Sequence, residues 1–332
     1  MSEIGFCVVG MGMGRARART VRNTPGARLV CVVDLNTDLA KQVAEDLECT
    51  WYGRVEDALQ DDEVEVVMVL TPSGLHGEVV IQALAAGRHA IATKPMEVTV
   101  TKCDAMIAAA DKANKLLAVD FETRYNEAAQ HTKYALDNGL FGKPILGEAR
   151  LKWFRTQKYY DAGGWRGTWK MDGGGALANQ TIHCIDLLVW IMGRPKTVWG
   201  RIGAFTHNIE TEDLGMAMIE FESGAVGTIL GTTTFPTDTY WGLEVHGSEG
   251  GVLANFGTEP RWFFLNEMED RREQMRRVCP HQNIVEDFVS AMNHNTPLLC
   301  DGKEGRRCIE LLTAVYESAR NGGTPVSLPS ER

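Results

Sequence analysis

The stretch Cys7-Val8-Val9-Gly10-Met11-Gly12-Met13-Gly14-Arg15-Ala16 carries three closely spaced glycines where an apolar strand turns into a helix. Backbone N–H groups and the helix N-terminus at such a turn can receive a pyrophosphate. Gly10 would make the turn, and Gly12 would admit the phosphates. The pattern departs from G-x-G-x-x-G, because Arg15 holds the third position and Gly14 comes one residue early. A glycine motif alone is weak evidence.

An acidic residue strengthens this interpretation. Asp34 ends the second apolar run, where a carboxylate about 20 residues beyond the glycines can bind both ribose hydroxyls and repel a 2′-phosphate. Together these features predict a dinucleotide site that prefers NAD, with NADP the weaker candidate. A tight strand–helix turn followed by a solvated aspartate is the alternative, and a surrounding βαβ pattern makes it the weaker one.

Short apolar runs alternate with helix-length stretches through the N-terminal third of the chain. The strand-like runs are Ile4–Val9, Leu29–Val33, Val64–Leu70, His89–Ala92 and Leu116–Val119. The helical stretches include Thr37–Leu47, His76–Ala86 and Val100–Ala113. Continuously apolar strands that alternate with helices indicate a parallel sheet covered on both faces. The fold class is therefore α/β.

The pattern changes near residue 145, where longer strands begin and several alternate polar with apolar residues. These strands are Leu146–Arg155, Gly215–Thr232, Leu243–Asn255 and Pro260–Leu265, and the predicted helices among and after them are Ala176–Met192, Asn283–Asn293 and Glu304–Arg320. Such strands indicate an antiparallel sheet with one solvated face. We predict two domains, residues 1–123 and 124–332.

Composition narrows the class of protein. The net charge of −10 argues against a nucleic-acid or anionic-membrane partner, because those partners need a basic surface. No apolar run approaches the roughly 20 residues that span a bilayer, and the N-terminus shows no export signal, so we expect a cytoplasmic protein. The eight cysteines show no ligand-like spacing, which predicts reduced thiols and no metal.

Two strand ends carry candidate site residues. Thr71-Pro72-Ser73 and Thr93-Lys94-Pro95 follow apolar strands, and the carboxyl ends of parallel strands are where open α/β sheets bind ligands. We expect their backbones to flank a nicotinamide. His76 either contacts the nucleotide or is a helix-end histidine without function. Lys94 either binds a reacting oxygen and stabilises alkoxide character or is a solvated lysine.

A glycine run, Gly173-Gly174-Gly175, precedes a largely apolar helix that bears a polar stripe. Asn179, His183 and Asp186 stand at i, i+4 and i+7, and a buried helix needs a wet cleft or internal partners for such a stripe. His183 is the natural base for a hydroxyl proton, with Asp186 able to hold its ring. A core histidine satisfied by Asp186 is the alternative. The glycines would let a ligand approach the backbone.

Aromatic and basic side chains crowd the loop before this helix. They are Tyr159, Tyr160, Trp165, Arg166, Trp169 and Lys170. Aromatic rings beside hydroxyl-binding residues would make a carbohydrate pocket, although packing explains the tryptophans almost as well. The cations Arg155, Lys158, Arg166 and Lys170 suggest an acidic or nucleotide-linked sugar, and surface charge is an equally good explanation.

Several ordered motifs resemble one known family along nearly the whole chain. They are Gly10-Met-Gly-Met-Gly, Thr71-Pro-Ser, Thr93-Lys-Pro, Trp165-Arg-Gly-Thr-Trp, Gly173-Gly-Gly-Ala-Leu-Ala-Asn-Gln-Thr-Ile-His-Cys-Ile-Asp, Glu210-Thr-Glu-Asp, His246-Gly-Ser-Glu-Gly and Tyr316-Glu-Ser-Ala. The chain resembles the glucose-fructose oxidoreductase / inositol dehydrogenase (Gfo/Idh/MocA) family. This resemblance implies an N-terminal Rossmann domain with a doubly wound parallel sheet and a C-terminal α/β domain with a large, open, mostly antiparallel sheet. It also implies homodimers or homotetramers formed through that sheet.

The resemblance also assigns catalytic roles to three positions. The family's Glu-Lys-Pro lysine corresponds to Lys94, and the Asp and His of its glycine-rich helix correspond to Asn179 and His183. Thr93 replaces the usual Glu, and Asn179 replaces the more common Asp. An amide cannot take a proton at neutral pH, so His183 is the expected base and Asn179 a hydrogen-bonding positioner. Sequence cannot assign the proton between Lys94 and His183.

The predicted reaction is NAD-dependent hydride transfer between a nicotinamide and a sugar or polyol hydroxyl. Two alternatives stay open, because a fold and a cofactor do not fix a reaction. The first is a glycoside-cleaving enzyme that oxidises, eliminates and returns the hydride without net redox change, and the second is a non-catalytic nucleotide-binding regulator. Release of NADH separates the dehydrogenase from the first.

The candidate residues fall into three sets. The cofactor set is Gly10, Gly12, Met13, Gly14, Asp34, Thr71, Pro72, Ser73, His76, Lys94 and Pro95. The catalytic set is Lys94, His183 and Asn179. The substrate set is Lys94, Arg124, Tyr160, Trp165, Arg166, Asn179 and His183.

Overall fold

The computed structural model describes residues 3–266 and 271–329. The chain divides into two compact units, Met1–Glu122 with His281–Arg306 and Thr123–Pro280 with Arg307–Arg332. The first boundary lies one residue from the predicted one, but the prediction had placed 281–306 in the second domain. This segment joins the first unit because its helix packs there, with the Phe288 ring 6.5 Å from that of Phe6.

The first unit contains a six-stranded sheet in the order β3-β2-β1-β4-β5-β6. Its strands are β1 (Ile4–Val9), β2 (Ala27–Val33), β3 (Thr50–Tyr52), β4 (Val66–Val69), β5 (His89–Thr93) and β6 (Leu117–Asp120). Every pairing is parallel, as the continuously apolar runs predicted. The strand order reverses between β1 and β4, which is where such sheets bind dinucleotides.

The helices in the N-terminal segment of the first unit are α1 (Met11–Asn23), α2 (Thr37–Leu47), α3 (Val55–Ala58), α4 (His76–Ala85) and α5 (Val100–Ala113). Two of them, α2 and α5, have recognisable caps at both ends. The side chains of Asn36 and Thr99 accept from the first turns of α2 and α5. The same helices end at Glu48 and Asn114 in the left-handed conformation, with φ of 54° and 51°. These caps explain why both helices were predicted with their observed bounds.

The second unit contains an eight-stranded sheet in the order β13-β12-β11-β7-β10-β9-β8-β14. Its strands are β7 (Pro144–Lys152), β8 (Pro195–Gly203), β9 (Leu214–Phe221), β10 (Val226–Thr232), β11 (Tyr240–Gly247), β12 (Gly250–Asn255), β13 (Arg261–Phe264) and β14 (Val326–Ser327). Only the β7–β10 pairing is parallel among those described. The predicted mostly antiparallel sheet is confirmed, although β8 was missed because Pro195 was interpreted as a helix stop.

The later helices complete the chain. They are α6 (Glu127–Asp137), α7 (Gln157–Asp161), α8 (Ile182–Met192), α9 (Ile284–His294) and α10 (Gly302–Arg320). Within the second unit, α8 packs against β7 and β11, and its apolar side chains are buried there. Among the described residues, none of the helices combines the length and the apolar character that a bilayer crossing requires.

Candidate active site

The three N-terminal glycines each do a different job at the start of α1. Gly10 has φ of 93°, and a Cβ there would lie 2.6 Å from the carbonyl oxygen of Leu70. A Cβ on Gly12 would meet nothing within 4 Å, so open space faces this turn. A Cβ on Gly14 would lie 3.0 Å from the Met11 Cε. Gly14 therefore allows the close helix–strand packing usually provided one residue later.

Asp34 ties the second strand to the glycine turn. Its Oδ2 accepts from the Met11 N–H at 2.7 Å, and its Oδ1 accepts from the Asn36 N–H at 2.8 Å. Each carboxylate oxygen has further lone pairs, so the fixed carboxylate can also receive two ribose hydroxyls. This geometry supports Asp34 as an NAD-binding residue, and its contact with the ribose stays a prediction.

The loops after β4 and β5 are joined by His76. Its Nε2 lies 2.8 Å from the Thr71 carbonyl oxygen, and its Nδ1 lies 2.9 Å from that of Pro95. Burial lowers the pKa of His76, and a neutral imidazole has one N–H to donate. The neutral ring therefore donates to one of these two carbonyls at a time, and its buried position between the two loops favours a supporting role over direct contact with a nucleotide. Ser73 begins the short helical turn that leads to α4 and is buried.

One polar atom at this edge points to a ligand. Among the described residues, the Thr71 Oγ1 is buried and has no hydrogen-bond partner, and such a hydroxyl is normally satisfied. The open face of Gly12, the fixed carboxylate of Asp34 and this hydroxyl all fit a dinucleotide. Met13 stands in the first turn of α1 with 75% of its surface exposed, where it is accessible to a bound nucleotide.

Lys94 follows β5 at the same edge, close to a buried acid that the sequence analysis missed. Thr93 pairs with Asp120 of β6, and Asp120 is 1% exposed. The Asp120 Oδ2 accepts from the Arg17 Nε at 2.5 Å. Burial raises the pKa of Asp120, while the charges of Arg17 and Lys94 oppose that rise. The available signal was an aspartate at the end of the last parallel strand.

The glycine-rich helix does not begin as an α-helix. Residues Ala176–Thr181 form a π-helix, and α8 begins only at Ile182. The Thr181 Oγ1 donates to the Ala176 carbonyl oxygen at 2.7 Å. The prediction of one continuous α-helix is thus wrong for this first segment, and Asn179 lies in the π turn. Short π segments are rare and occur often at functional sites.

Asn179 belongs to a chain of four polar side chains in the second unit. The Arg155 Nη2 donates to the Gln180 Oε1 at 2.9 Å, and the Gln180 Nε2 donates to the Asn179 Oδ1 at 2.6 Å. The Asn179 Nδ2 donates to the Asp172 Oδ1 at 2.5 Å. Asp172 is 1% exposed. The sequence analysis did not single out Asp172 or Gln180, because a glycine run follows Asp172 and no periodic pattern places its side chain near Asn179.

The glycine run serves the protein's own packing. A Cβ on Gly174 would lie 2.0 Å from the Tyr316 hydroxyl, and one on Gly175 would lie 2.0 Å from the Glu212 carbonyl oxygen. Packing is therefore reason enough for these two glycines, and close approach of a ligand to the run stays a prediction. The Glu212 Oε1 accepts from the N–H groups of Gly175 and Leu177 and from the Tyr316 hydroxyl. Burial raises the pKa of Glu212 to about 7.

His183 lies near the start of α8 and is half-buried. Asp186, expected to hold its ring, places both carboxylate oxygens on Arg124, with 2.8 Å to Nε and 2.8 Å to Nη2. Both side chains of this ion pair are 1% exposed, and the Arg124 guanidinium also lies over the Trp190 ring. This burial favours a structural role for Arg124 over the predicted substrate contact. An Asp186–His183 pair stays a prediction.

The loop before the glycine run contains aromatic side chains, of which some are buried and others are partly accessible. Tyr160 is 4% exposed, and its hydroxyl shares a hydrogen bond with the Thr233 Oγ1 at 2.7 Å, so it packs the unit. Trp165 and Arg166 are half-buried. The Arg166 guanidinium lies 4.7 Å from the ring centroids of both Tyr159 and Trp165. This stack holds a cation in place on the loop.

The sequence matches one family across both units. Residues 4–121 match the family described as "Oxidoreductase family, NAD-binding Rossmann fold", and residues 129–253 match the "GFO/IDH/MocA C-terminal domain". The chain belongs to the Gfo/Idh/MocA family. It is an NAD-binding oxidoreductase, and the predicted family, fold class and cofactor are confirmed.

Three relatives illustrate the range of the similarity. The WlbA dehydrogenase of Bordetella pertussis, crystallised with NADH and UDP-GlcNAcA, is 29% identical with a TM-score of 0.91, over 99% of this chain and 100% of that one. The scyllo-inositol 2-dehydrogenase (NAD(+)) of Bacillus subtilis is 28% identical over 98% of this chain and 88% of that protein. The 2,7-anhydro-N-acetylneuraminate hydratase of Mediterraneibacter gnavus is 24% identical over 84% of this chain and 76% of that protein.

Proposed function

We propose that this oxidoreductase transfers a hydride between NAD and a hydroxyl or ketone carbon of a sugar or polyol, with Lys94, His183 and Asn179 as its catalytic residues. The observation that carries this is the carboxyl edge of the parallel sheet, where Lys94 directly follows β5 and the segment after β4 bears the Thr71 hydroxyl, which lacks a partner among the described residues. Relatives named as inositol, levoglucosan and glucoside dehydrogenases support the substrate class.

The residues divide the work as follows. Bound NAD supplies the hydride acceptor. The Lys94 ammonium binds the reacting oxygen and stabilises alkoxide character on it. The His183 imidazole takes the hydroxyl proton. Asn179 cannot take a proton, so its amide holds the hydroxyl in place.

We further propose that the substrate carries an acidic group, either free or as part of a nucleotide-linked sugar. Residues 151–171 contain five Lys or Arg and one Asp, a local charge of +4 in a chain of net charge −10. Both Arg155 and Arg166 are held on the Tyr159 ring. The WlbA relative, crystallised with a sugar acid linked to UDP, supports this proposal. Fixed guanidinium groups are suited to carboxylates and phosphates.

The test is NADH formation by purified protein with NAD and a panel of free sugars, inositols, sugar acids, glycosides and UDP-GlcNAcA. We expect sugar acids to react best. Lys94→Met and His183→Ala should each lower kcat by about 100-fold or more, since each removes transition-state stabilisation or the base. Lys112→Met, which changes an exposed lysine near the end of α5, is the matched control. Equal activity in Lys94→Met and wild type contradicts the proposal.

The second candidate is the glycoside-cleaving cycle, in which the substrate is oxidised, undergoes elimination and receives the hydride back. The similarity to a relative named as a hydratase favours it. Its signature is consumption of a glycoside that depends on NAD but releases no NADH. Product analysis of the same reactions separates it from the dehydrogenase.

We also propose that the chain forms a homodimer or homotetramer through the open face of its second sheet. Alternate residues of β9 are buried, whereas Met216 and Met218 on the other face are 51% and 58% exposed. Exposed apolar side chains on a broad sheet face are typical of an interface. A cytoplasmic location stays a prediction.

A further inference from the structure

The hydrogen bonds that link the four polar side chains of the second unit all run in one donor-to-acceptor direction. Arg155 donates to Gln180, Gln180 donates to Asn179, and Asn179 donates to Asp172. A guanidinium can only donate, and a carboxylate can only accept. The two amides between these charged ends therefore have one orientation that satisfies every hydrogen bond.

Asp172 is the accepting end of this chain, and it is fully engaged. Its Oδ1 accepts from the Asn179 amide at 2.5 Å, and its Oδ2 accepts from the Gly167 N–H at 2.9 Å. The side chain is 1% exposed, so water does not replace either donor easily. Because the two donors address different oxygens of Asp172, both positions must be acceptors, which a carboxylate provides and an amide does not.

We infer that Asp172 is a positioning residue, which holds the Asn179 carboxamide in the single orientation that the reaction uses. Without an acceptor-only neighbour, an Asn amide can turn over and exchange its oxygen for its NH₂ group. A substrate hydroxyl would then meet a donor where it had met an acceptor. The inference rests on the proposed function, because its effect on turnover requires Asn179 to contact substrate.

The first variant is Asp172→Asn. The new amide has one oxygen for two donors, Gly167 N–H and Asn179 Nδ2, so one of the two contacts is lost. We expect kcat to fall by about 10- to 100-fold, as is typical when a reacting group is misplaced. The KM for substrate should change by less than about threefold. The Kd for NAD should not change, since Asp34 and the glycine turn belong to the other unit.

The second variant exchanges the two side chains, as Asp172→Asn combined with Asn179→Asp. The amide now at position 172 accepts from Gly167 and donates to the carboxylate at position 179, which still accepts from Gln180. The exchange keeps every hydrogen bond among the four polar side chains and moves the carboxylate from position 172 to position 179. We expect this exchange to recover at least about tenfold of the kcat lost in Asp172→Asn.

The third variant, Asn179→Asp alone, places two carboxylates at hydrogen-bond distance, and such a pair must share a proton. Its activity should fall as pH rises, relative to wild type and to the exchange variant. The titratable groups near this pair are Tyr316, Tyr159 and Arg155, with Glu212 bonded to Tyr316. These four groups are present in every variant, so their own titration does not contribute to the difference between the pH profiles of the variants.

Glucuronate, UDP-GlcNAcA and myo-inositol are the substrate probes. Activity of Asp172→Asn within twofold of wild type overturns the inference, as does an exchange variant no more active than Asp172→Asn, which a purely structural role predicts. If wild type releases no NADH with any probe, the proposed function fails separately.

The orientation of the Asn179 side chain is then measured by ¹⁵N NMR of its amide, whose signal is identified by its loss in Asn179→Asp. An amide signal unchanged in Asp172→Asn overturns the inference.

Discussion

At the scale of single residues, we expect Asp34 to set the preference for NAD over NADP. Its carboxylate accepts from two backbone N–H groups and would also bind the ribose hydroxyls. Asp34→Ala should weaken NAD binding by about 10- to 100-fold, because a charged hydrogen-bond acceptor is lost. NADP should lose less affinity or gain some, because repulsion of its 2′-phosphate is also removed. Titration of NADH and NADPH fluorescence measures both constants, with Asp38→Ala, exposed in α2, as the control.

The sequence could predict the residues whose position depends on neighbours close to them in the chain. The structure confirms the strand–turn–helix that contains Gly10, Gly12 and Asp34, and their contacts with NAD stay predictions. Asp120 and Asp172 have roles set by neighbours far along the chain or beyond a glycine run. No periodicity marks such residues, so the sequence could not assign them.

At the scale of elements, one buried acid holds the start of the π-helix. Burial raises the pKa of Glu212 from its usual value of about 4.5 to about 7. The folded state therefore binds more protons than the unfolded state in this window, and stability falls as pH rises from about 4.5 to 7. The loss attributable to Glu212 is about 3 kcal/mol.

Glu212→Gln should flatten that decline, because an amide does not titrate but can still accept from Gly175 and Leu177. Thermal unfolding midpoints of wild type and variant between pH 5 and 8 measure the slope. Glu220→Gln, which changes a β9 glutamate paired with Lys196, should keep the wild-type slope. A Glu212→Gln variant with the wild-type slope would contradict the assignment of this titration to Glu212.

Elements with local caps were predicted with correct bounds, and those defined by tertiary contacts were not. The bounds of α2 and α5 match because their own caps set them. The π turn at Ala176–Thr181 depends on Glu212 and Tyr316 from distant parts of the chain. Strand β8 was missed because its first residue, Pro195, usually ends structure in sequence patterns.

At the scale of the whole molecule, the sequence predicted two units but not that the first is discontinuous. Residues 281–306 look like an ordinary continuation of the second unit, and only packing reveals that they belong with the first. In particular, the Phe288 ring lies edge-on to both Phe6 and His89. Contacts between residues so distant in sequence leave no local pattern.

A fragment ending at residue 123 should therefore be much less stable than the same fragment fused through a flexible linker to 281–306. Removing Phe288 and its neighbours would expose the apolar face around Phe6, and losing one buried Phe alone removes about 3 to 5 kcal/mol. Urea unfolding of the two fragments measures the difference, and NADH binding reports whether the glycine turn forms. Equal stability of both fragments would contradict this view of the unit.

The discontinuity also orders events during synthesis. The strands and glycine turn of the first unit leave the ribosome early, but the helix that covers Phe6 is made only after the whole 123–280 segment. The nucleotide-binding unit is thus begun first and completed late, and its apolar surface stays uncovered while the intervening segment is translated. Nascent chains paused before residue 281 are where chaperone binding should be greatest.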